Sequence, residues 1–533
     1  MLDALTMDDY PLTLTTAVER AARSQDTDVV SRRPGGSIFR TTMGACARRA
    51  RRLAAALAGI GIAEGDRVAT LLWNQAEHVE IYFAVPAMGA VVHTLNPRLH
   101  ADELAFIAAD AGDSVIVVDE SLLEVFDGLR HAYHFEHVIV VTHRHTAPPG
   151  TLDYHAFVEA AEPMDWPILD ERTAAAMCYT SGTTGRPKGV VYSHRALLLH
   201  SLAAALPDAL GVSRDDTLLP VVPMFHANGW GLPYAAALIG ARLVLPGPRL
   251  DPVSILDLLA DEQVTMTAGV PTVWMGMLTA LDAEPQRWDL SCLDRLIVGG
   301  AAVSRALLEG YDRHGLKVVQ AWGMTETSPL GTVSRLPSEL ADSGSDAQYD
   351  NRIRQGTAVP LVDIRATDDD GRRIEWDDTA MGELEVRGPW VASAYYNGAG
   401  SNSFTADGWF RTGDIVRIDK RGSIRICDRA KDLVKSGGEW ISSVDLENCL
   451  MAHPAVAEAA VIAVPDERWG ERPLAALVVR EGMTADPDDL TQHLATEFSK
   501  WQIPERFEIL PEIPRTATGK FRKTELRERF TTP

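Results

Sequence analysis

A chain of 533 residues has room for about three or four domain-sized units. Its 46% hydrophobic and 23% charged residues are ordinary for a soluble globular protein, which excludes a disordered or fibrous chain. With 51 Lys and Arg against 74 Asp and Glu the net charge is −23, which excludes general attraction to nucleic acid or anionic membrane.

Any anionic ligand must therefore be held by local positive groups. Five scattered cysteines show no Cys-x-x-Cys or Cys/His metal spacing, and the acidic N-terminus lacks the pattern of a signal peptide. A cytoplasmic protein is expected.

Along the chain, an Ala/Leu-rich helical stretch carries Arg48, Arg49, Arg51 and Arg52, expected to form a solvated helix face. The longest apolar run, 81–92, is too short for a bilayer and is interrupted by Pro86 and Gly89. Short β-branched runs at 115–118, 138–141, 243–245 and 296–298 read as buried strands, with helices at 255–259 and 305–311. This alternation predicts α/β layers around largely parallel sheets.

From Met381 the pattern changes to period-two alternation at 382–388, 408–414 and 423–426, as in a half-exposed antiparallel sheet. After the charged segment 428–432, strand patterns at 459–464 and 474–479 and a helical pattern at 488–498 define a compact unit. The expected fold class is α/β. A large multi-subdomain N-terminal domain with parallel-rich sheets covers 1–428, with an antiparallel region at about 355–428. A small α+β C-terminal cap domain covers 429–533.

The segment Tyr179-Thr180-Ser181-Gly182-Thr183-Thr184-Gly185-Arg186-Pro187-Lys188-Gly189-Val190 combines glycines, hydroxyls and a lysine between apolar runs. Glycines let backbone N–H groups approach an anion, and Lys188 would add about 4 kcal/mol against a phosphate about 4 Å away at an effective dielectric near 20. It reads as a phosphate-binding loop, although Pro187-Lys188-Gly189 departs from the Walker pattern.

This loop resembles the phosphate loop of the adenylate-forming superfamily, which includes acyl-CoA synthetases, peptide-synthetase adenylation domains and beetle luciferases. Further segments match in the expected order. Gly299-Gly300-Ala301-Ala302 and Gln320-Ala321-Trp322-Gly323-Met324-Thr325-Glu326-Thr327 resemble the adenine and magnesium segment. Trp409 to Asp414 resembles the ribose segment, and Arg515-Thr516-Ala517-Thr518-Gly519-Lys520 the C-terminal lysine loop.

The resemblance implies ATP, Mg²⁺ and CoA as ligands. Thr180 to Gly185, Lys188, Gly300, Ala301, Gln320, Ala321, Trp322 and Thr325 would bind the nucleotide. Trp322, where the family more often has Tyr, would stack on adenine, a contact worth roughly 1–3 kcal/mol. Thr180 and Glu326 offer hard oxygens to Mg²⁺, and Asp414 would accept from the ribose hydroxyls.

Lys520 is implied to stabilise the charge that develops when a carboxylate attacks the α-phosphate. Arg429 would contact ribose or phosphate and the pivot would lie near Lys431. The face with Lys435, Gly437 and Gly438 would turn inward for thioester formation, with Lys431, Lys435 and Trp440 among the ligand-binding residues. Asp428 stands where many relatives carry glycine.

Pro223-Met224-Phe225-His226-Ala227-Asn228-Gly229-Trp230-Gly231 resembles the acyl site. There His226 would orient the carboxylate and Trp230 would act as the gate of a fatty acyl tunnel, with Gly299 and Gly323 at the substrate. The resemblance is greatest to medium- and long-chain fatty acyl-CoA ligases and to 3-methylmercaptopropionate ligases. It implies an ATP-dependent acid–CoA ligase, the alternatives being 3-methylmercaptopropionate as substrate or loading of a carrier protein. A homodimer is common among such relatives.

Overall fold

The computed structural model describes Met7 and residues 10–180, 186–436, 439–466, 468–515 and 521–531. Among the described residues the strands form four sheets.

One has seven strands, in the order Leu152–Asp153, His137–Val141, Val115–Asp119, Arg67–Leu71, Val91–Thr94, Ala174–Tyr179 and Gly189–Ser193. Its strands run parallel except for the last pair, which is antiparallel. Val115–Asp119 is buried at every position because both faces of the sheet are covered, the condition that selects unbroken β-branched runs.

The nine-stranded sheet has a parallel centre formed by Val318–Gly323, Arg295–Val298, Met266–Gly269, Thr217–Pro220, Arg242–Leu245 and Asp28–Arg32. Antiparallel strands flank it on both sides.

The apolar run at 81–92 is a core element. The helix Ala76–Ala87 is buried along its whole length and touches Val91–Thr94 and Ala174–Tyr179 of one sheet and Asp28–Arg32 of the other. Its two carboxylates are paired, Glu77 with Arg33 at 2.6 Å and Glu80 with Arg49 at 2.8 Å, as burial of charge requires. Among the described residues no helix is long and apolar enough to cross a membrane.

The arginine cluster differs from the solvated face expected. Arg49 pairs with Glu80, Arg51 donates to the Met164 carbonyl and pairs with Glu19, and Arg52 donates to the Ala161 carbonyl. Even the exposed Arg48 donates to Gln25. The segment around 159–165 packs across the helix Met43–Gly59 and supplies carbonyls that no pattern within the helix reveals.

The antiparallel region is a four-stranded sheet of Asp363–Thr367, Gly382–Arg387, Phe410–Ile418 and Ile424–Arg429. Its third strand starts at Phe410, after a turn in which the Gly408 N–H donates to the Thr405 carbonyl.

The C-terminal part is built on the hairpin of Val456–Asp466 and Gly470–Val479, joined by Arg506–Ile509 and by the small hairpin of Val434–Ser436 and Glu439–Ile441. The helix expected at 488–498 spans Pro487–Leu494. The Phe498 N–H still reaches the Leu494 carbonyl, but the Thr496 hydroxyl takes the His493 carbonyl, and the chain turns so that Phe498 packs against the local core.

Candidate active site

The base of the phosphate loop is an antiparallel pair in register Tyr179↔Gly189. The Thr180 N–H donates to the Lys188 carbonyl at 2.9 Å, and the Lys188 N–H donates to Thr180 Oγ1 at 3.1 Å. From outside, the Tyr179 hydroxyl donates to Asp110 at 2.7 Å. Ser181, Gly182, Thr183, Thr184 and Gly185 lie outside the described residues, as do Gly437, Gly438 and Lys520.

Glu326 follows the strand Val318–Gly323 in the short turn Thr325–Thr327 and is only 5% exposed. The Thr325 carbonyl accepts from the Tyr192 hydroxyl at 2.7 Å, which fixes this turn to the strand that leaves the phosphate loop. Lys188 and Glu326 meet on Tyr395. Its hydroxyl donates to Glu326 Oε1 at 2.5 Å and its ring lies 4.7 Å below Lys188 Nζ.

Trp322, Asp414 and Arg429 come together from three distant segments. The buried Trp322 ring packs over Gly331, and its Nε1–H donates to Asp414 Oδ2 at 3.0 Å. Asp414 Oδ1 pairs with Arg429 Nε at 2.8 Å, and Arg429 also donates to the Thr412 carbonyl. Asp414 is 3% exposed, so this pairing keeps a buried carboxylate compensated.

On the neighbouring strands, Gly300 and Ala301 are exposed and Ala321 is buried. Gln320 is buried, with its Oε1 unpartnered among the described residues.

The acyl segment is a rare backbone form. Ala227, Asn228, Gly229, Trp230 and Gly231 have consecutive positive φ of 36°, 38°, 62°, 55° and 67°. For the three non-glycine residues this costs about 1–2 kcal/mol each, strain of the kind that concentrates at functional sites. Asn228 holds the turn from within, donating to Thr94 Oγ1 at 3.2 Å.

The turn lays Trp230 over Gly299, where a Cβ would stand 2.8 Å from the indole. Gly231 faces His200 so closely that a Cβ would lie 2.6 Å from its Nδ1. Trp230 and Gly299 are thereby brought to the end of the strand Arg295–Val298, His226 lies at the start of the same turn, where its carbonyl accepts the Gly229 N–H, and Gly323 ends the adjoining strand at a bulge.

Trp440 packs against Ile415, Cys427 and Leu433, the first of these next to Asp414 in the chain. Lys435 is stacked on Trp440 at 5.1 Å and is exposed, 3.9 Å from Asp369 of the antiparallel region. Lys431 is exposed overall, and partial desolvation of its ammonium lowers the pKa.

The flanks of the lysine loop are defined: Arg515 and Phe521 form an antiparallel bridge and the Arg522 N–H donates to the Pro514 carbonyl. Burial raises the Glu103 carboxyl of the helix Ala101–Ala111, and Arg522 opposes that rise.

Sequence reading missed Tyr395 and Asp110, and gave Asn228 no role within the acyl segment. Each acts through a partner far away in the chain, so no local spacing marks it.

A hydrogen-bonded loop base at Thr180 and Lys188, a buried carboxylate that shares Tyr395 with that lysine, and an Asp414–Arg429 pair reached by Trp322 are the polar features of a nucleotide-binding α/β enzyme. The chain belongs to the AMP-binding enzyme family, whose pattern matches residues 18–396, with the AMP-binding enzyme C-terminal domain at 445–520.

It is 48% identical over 531 residues to a long-chain-fatty-acid–CoA ligase of Thermus thermophilus, covering 98% of this chain and 97% of the relative. It is 41% identical over 528 residues to a 3-methylmercaptopropionyl-CoA ligase of Ruegeria pomeroyi, covering 98% and 97%. Among solved structures, ATP-bound MatB from Rhodopseudomonas palustris superposes with a TM-score of 0.83 at 27% identity, covering 97% of this chain and 99% of that one.

Proposed function

We propose that the protein is an ATP-dependent acid–CoA ligase acting on medium- or long-chain fatty acids. The observation that carries this reading is the junction of Trp322, Asp414 and Arg429, an aromatic ring on a buried carboxylate–guanidinium pair, together with Lys188 and Glu326 on the shared Tyr395.

In the first step a carboxylate attacks the α-phosphorus of ATP, giving acyl-AMP and pyrophosphate. The acid is already ionised at neutral pH, so no general base is required. Lys188 offsets phosphate charge, Asp414 holds the ribose and Trp322 stacks on the adenine. Lys520 balances the charge that develops at the α-phosphate. In the second step the CoA thiol displaces AMP from the acyl carbonyl.

Mg²⁺ fits the donor set, because Glu326 and Thr180 supply hard oxygens. Among the described residues no group of three or more His, Cys, Asp or Glu side chains forms a standing cage. The ion would enter with the nucleotide and offset charge on the phosphates.

The exposed setting of Lys435, whose charge partner is Asp369, supports a cap at 429–533 that turns about Lys431 between the two steps. Cytoplasmic location is supported by five cysteines in the free thiol form.

The fatty acid reading rests on the 48% relative, and 3-methylmercaptopropionate is the second reading, on the 41% relative. AMP release dependent on both ATP and CoA, measured from propionate to palmitate with 3-methylmercaptopropionate included, decides between them. Trp230→Ala is expected to change the chain-length profile, and an unchanged profile contradicts the gate. No AMP release with any acid overturns the whole assignment.

A further inference from the structure

The Glu326 carboxylate and the Lys188 ammonium are opposite charges in one site, yet they form no ion pair with each other; both touch the same tyrosine. Tyr395 is 7% exposed, its hydroxyl 2.5 Å from Glu326 Oε1 and its ring 4.7 Å from Lys188 Nζ. The ring is held at its edges by Phe404 and Phe410, with centroids 5.6 and 6.4 Å away and interplanar angles of 68° and 79°.

The loop that carries Tyr395 is itself bound to the Glu326 turn, where the Ala392 N–H donates to the Glu326 carbonyl at 2.7 Å. The same loop returns at Gly400, where a Cβ would come within 2.7 Å of Lys188 Nζ and 3.1 Å of the Tyr395 ring. Ring, carboxylate and ammonium are therefore packed against one another by backbone on two sides.

From this arrangement we infer that Tyr395 is a positioning residue for the phosphate end of the site, holding Glu326 and Lys188 apart and aimed. The hydrogen bond to Oε1 fixes the carboxylate rotamer and leaves Oε2 as the oxygen for an incoming cation. The ring face seats the ammonium by its π-electrons without neutralising it. Without the spacer, Lys188 and Glu326 could close into a direct ion pair, which an incoming Mg²⁺–phosphate group would have to break. The tyrosine thus pre-organises two charges for a ligand that carries both signs.

This inference rests on the ATP-dependent reading given above. Its test compares wild type, Tyr395→Phe and Tyr395→Leu by calorimetric ATP binding with and without Mg²⁺, and by the Mg²⁺ and acid dependence of pyrophosphate release. Tyr395→Phe keeps the ring and loses the hydroxyl. It is expected to raise the half-saturating Mg²⁺ concentration about 10-fold or more, the loss of one hydrogen bond to a charged group, with KM for the acid unchanged.

Tyr395→Leu should also weaken ATP binding without Mg²⁺, by about 3-fold or more, because Lys188 loses its seat. In a Glu326→Gln background, the Tyr395→Phe effect on Mg²⁺ should disappear. That cycle separates positioning of the carboxylate from a general packing defect, which would persist there.

Wild-type Mg²⁺ dependence in Tyr395→Phe, or a rise in acid KM matching the change in Mg²⁺ dependence, overturns the role of Tyr395 alone. Failure of the wild-type chain to bind ATP overturns the ligase reading and this inference together.

Discussion

Lys523→Met should destabilise the C-terminal part of the molecule severely, and in a pH-dependent way. Lys523 opens the helix Lys523–Thr531, three residues beyond Lys520, and its side chain is 12% exposed. Its Nζ pairs with Glu447 Oε1 at 2.6 Å and donates to Ser443 Oγ at 2.5 Å. Asp428, just before the proposed pivot, accepts the Ser443 N–H at 2.9 Å within the same cluster.

Burial raises the Asp428 and Glu447 carboxyls, while Lys523 opposes both shifts. Methionine conserves most of the volume and removes the charge, leaving two buried carboxylates with no ammonium between them. Breaking a buried pair in this way costs about 3–5 kcal/mol. At roughly 4–8 °C per kcal/mol for a unit of this size, the loss in Tm is about 12–40 °C at pH 8.

The sign follows from linkage. Native pKa values above the unfolded ones mean that the native state binds more protons as pH falls. The penalty is therefore full above the raised values and relieved as pH falls toward the ordinary carboxylate range. Thermal melts at pH 8 and pH 5 measure it: the deficit should shrink by at least half at the lower pH. A deficit below about 1 kcal/mol, or one that is the same at both pH values, would refute the cluster argument.

Three other outcomes are expected. Trp322→Phe keeps a ring but leaves the buried Asp414 Oδ2 without its donor, so the KM for ATP should rise about 10- to 100-fold, as read in pyrophosphate-release assays. Lys520→Ala should abolish acyl-AMP formation yet still convert supplied acyl-AMP to thioester; loss of both half-reactions would contradict its assigned role.

Burial lowers the His200 pKa to about 4, and its Nε2 accepts the Leu330 N–H. A depressed native pKa means that stability is full above the unfolded value and is lost as pH falls toward 4, by up to about 3 kcal/mol. His200→Gln should flatten the slope of urea-unfolding free energy between pH 7 and pH 5. His78 and His194, which burial also lowers to about 4, keep part of that slope.

The alternation of β-branched runs and helical patterns was enough to give the parallel sheets, because a strand covered on both faces must be apolar throughout, as 115–118 is. The order of the Tyr179–Val190 loop, the Gln320–Thr327 segment and the Lys520 loop likewise identified the chemistry, since phosphate and carboxylate recognition restrict residue types locally. The end of the helix at Leu494 and the clamping of Arg51 and Arg52 were not legible, because each depends on a segment that arrives from elsewhere.

The same holds within the site. Sequence supplied Trp322, Asp414, Glu326 and Lys188 as separate candidates, in segments up to 92 positions apart for the first pair. Only the tertiary structure decided that one indole N–H reaches Asp414 and that one tyrosine ring stands between Lys188 and Glu326. Hydrogen bonds and ring contacts act over a few ångströms in space and leave no period or spacing in the chain.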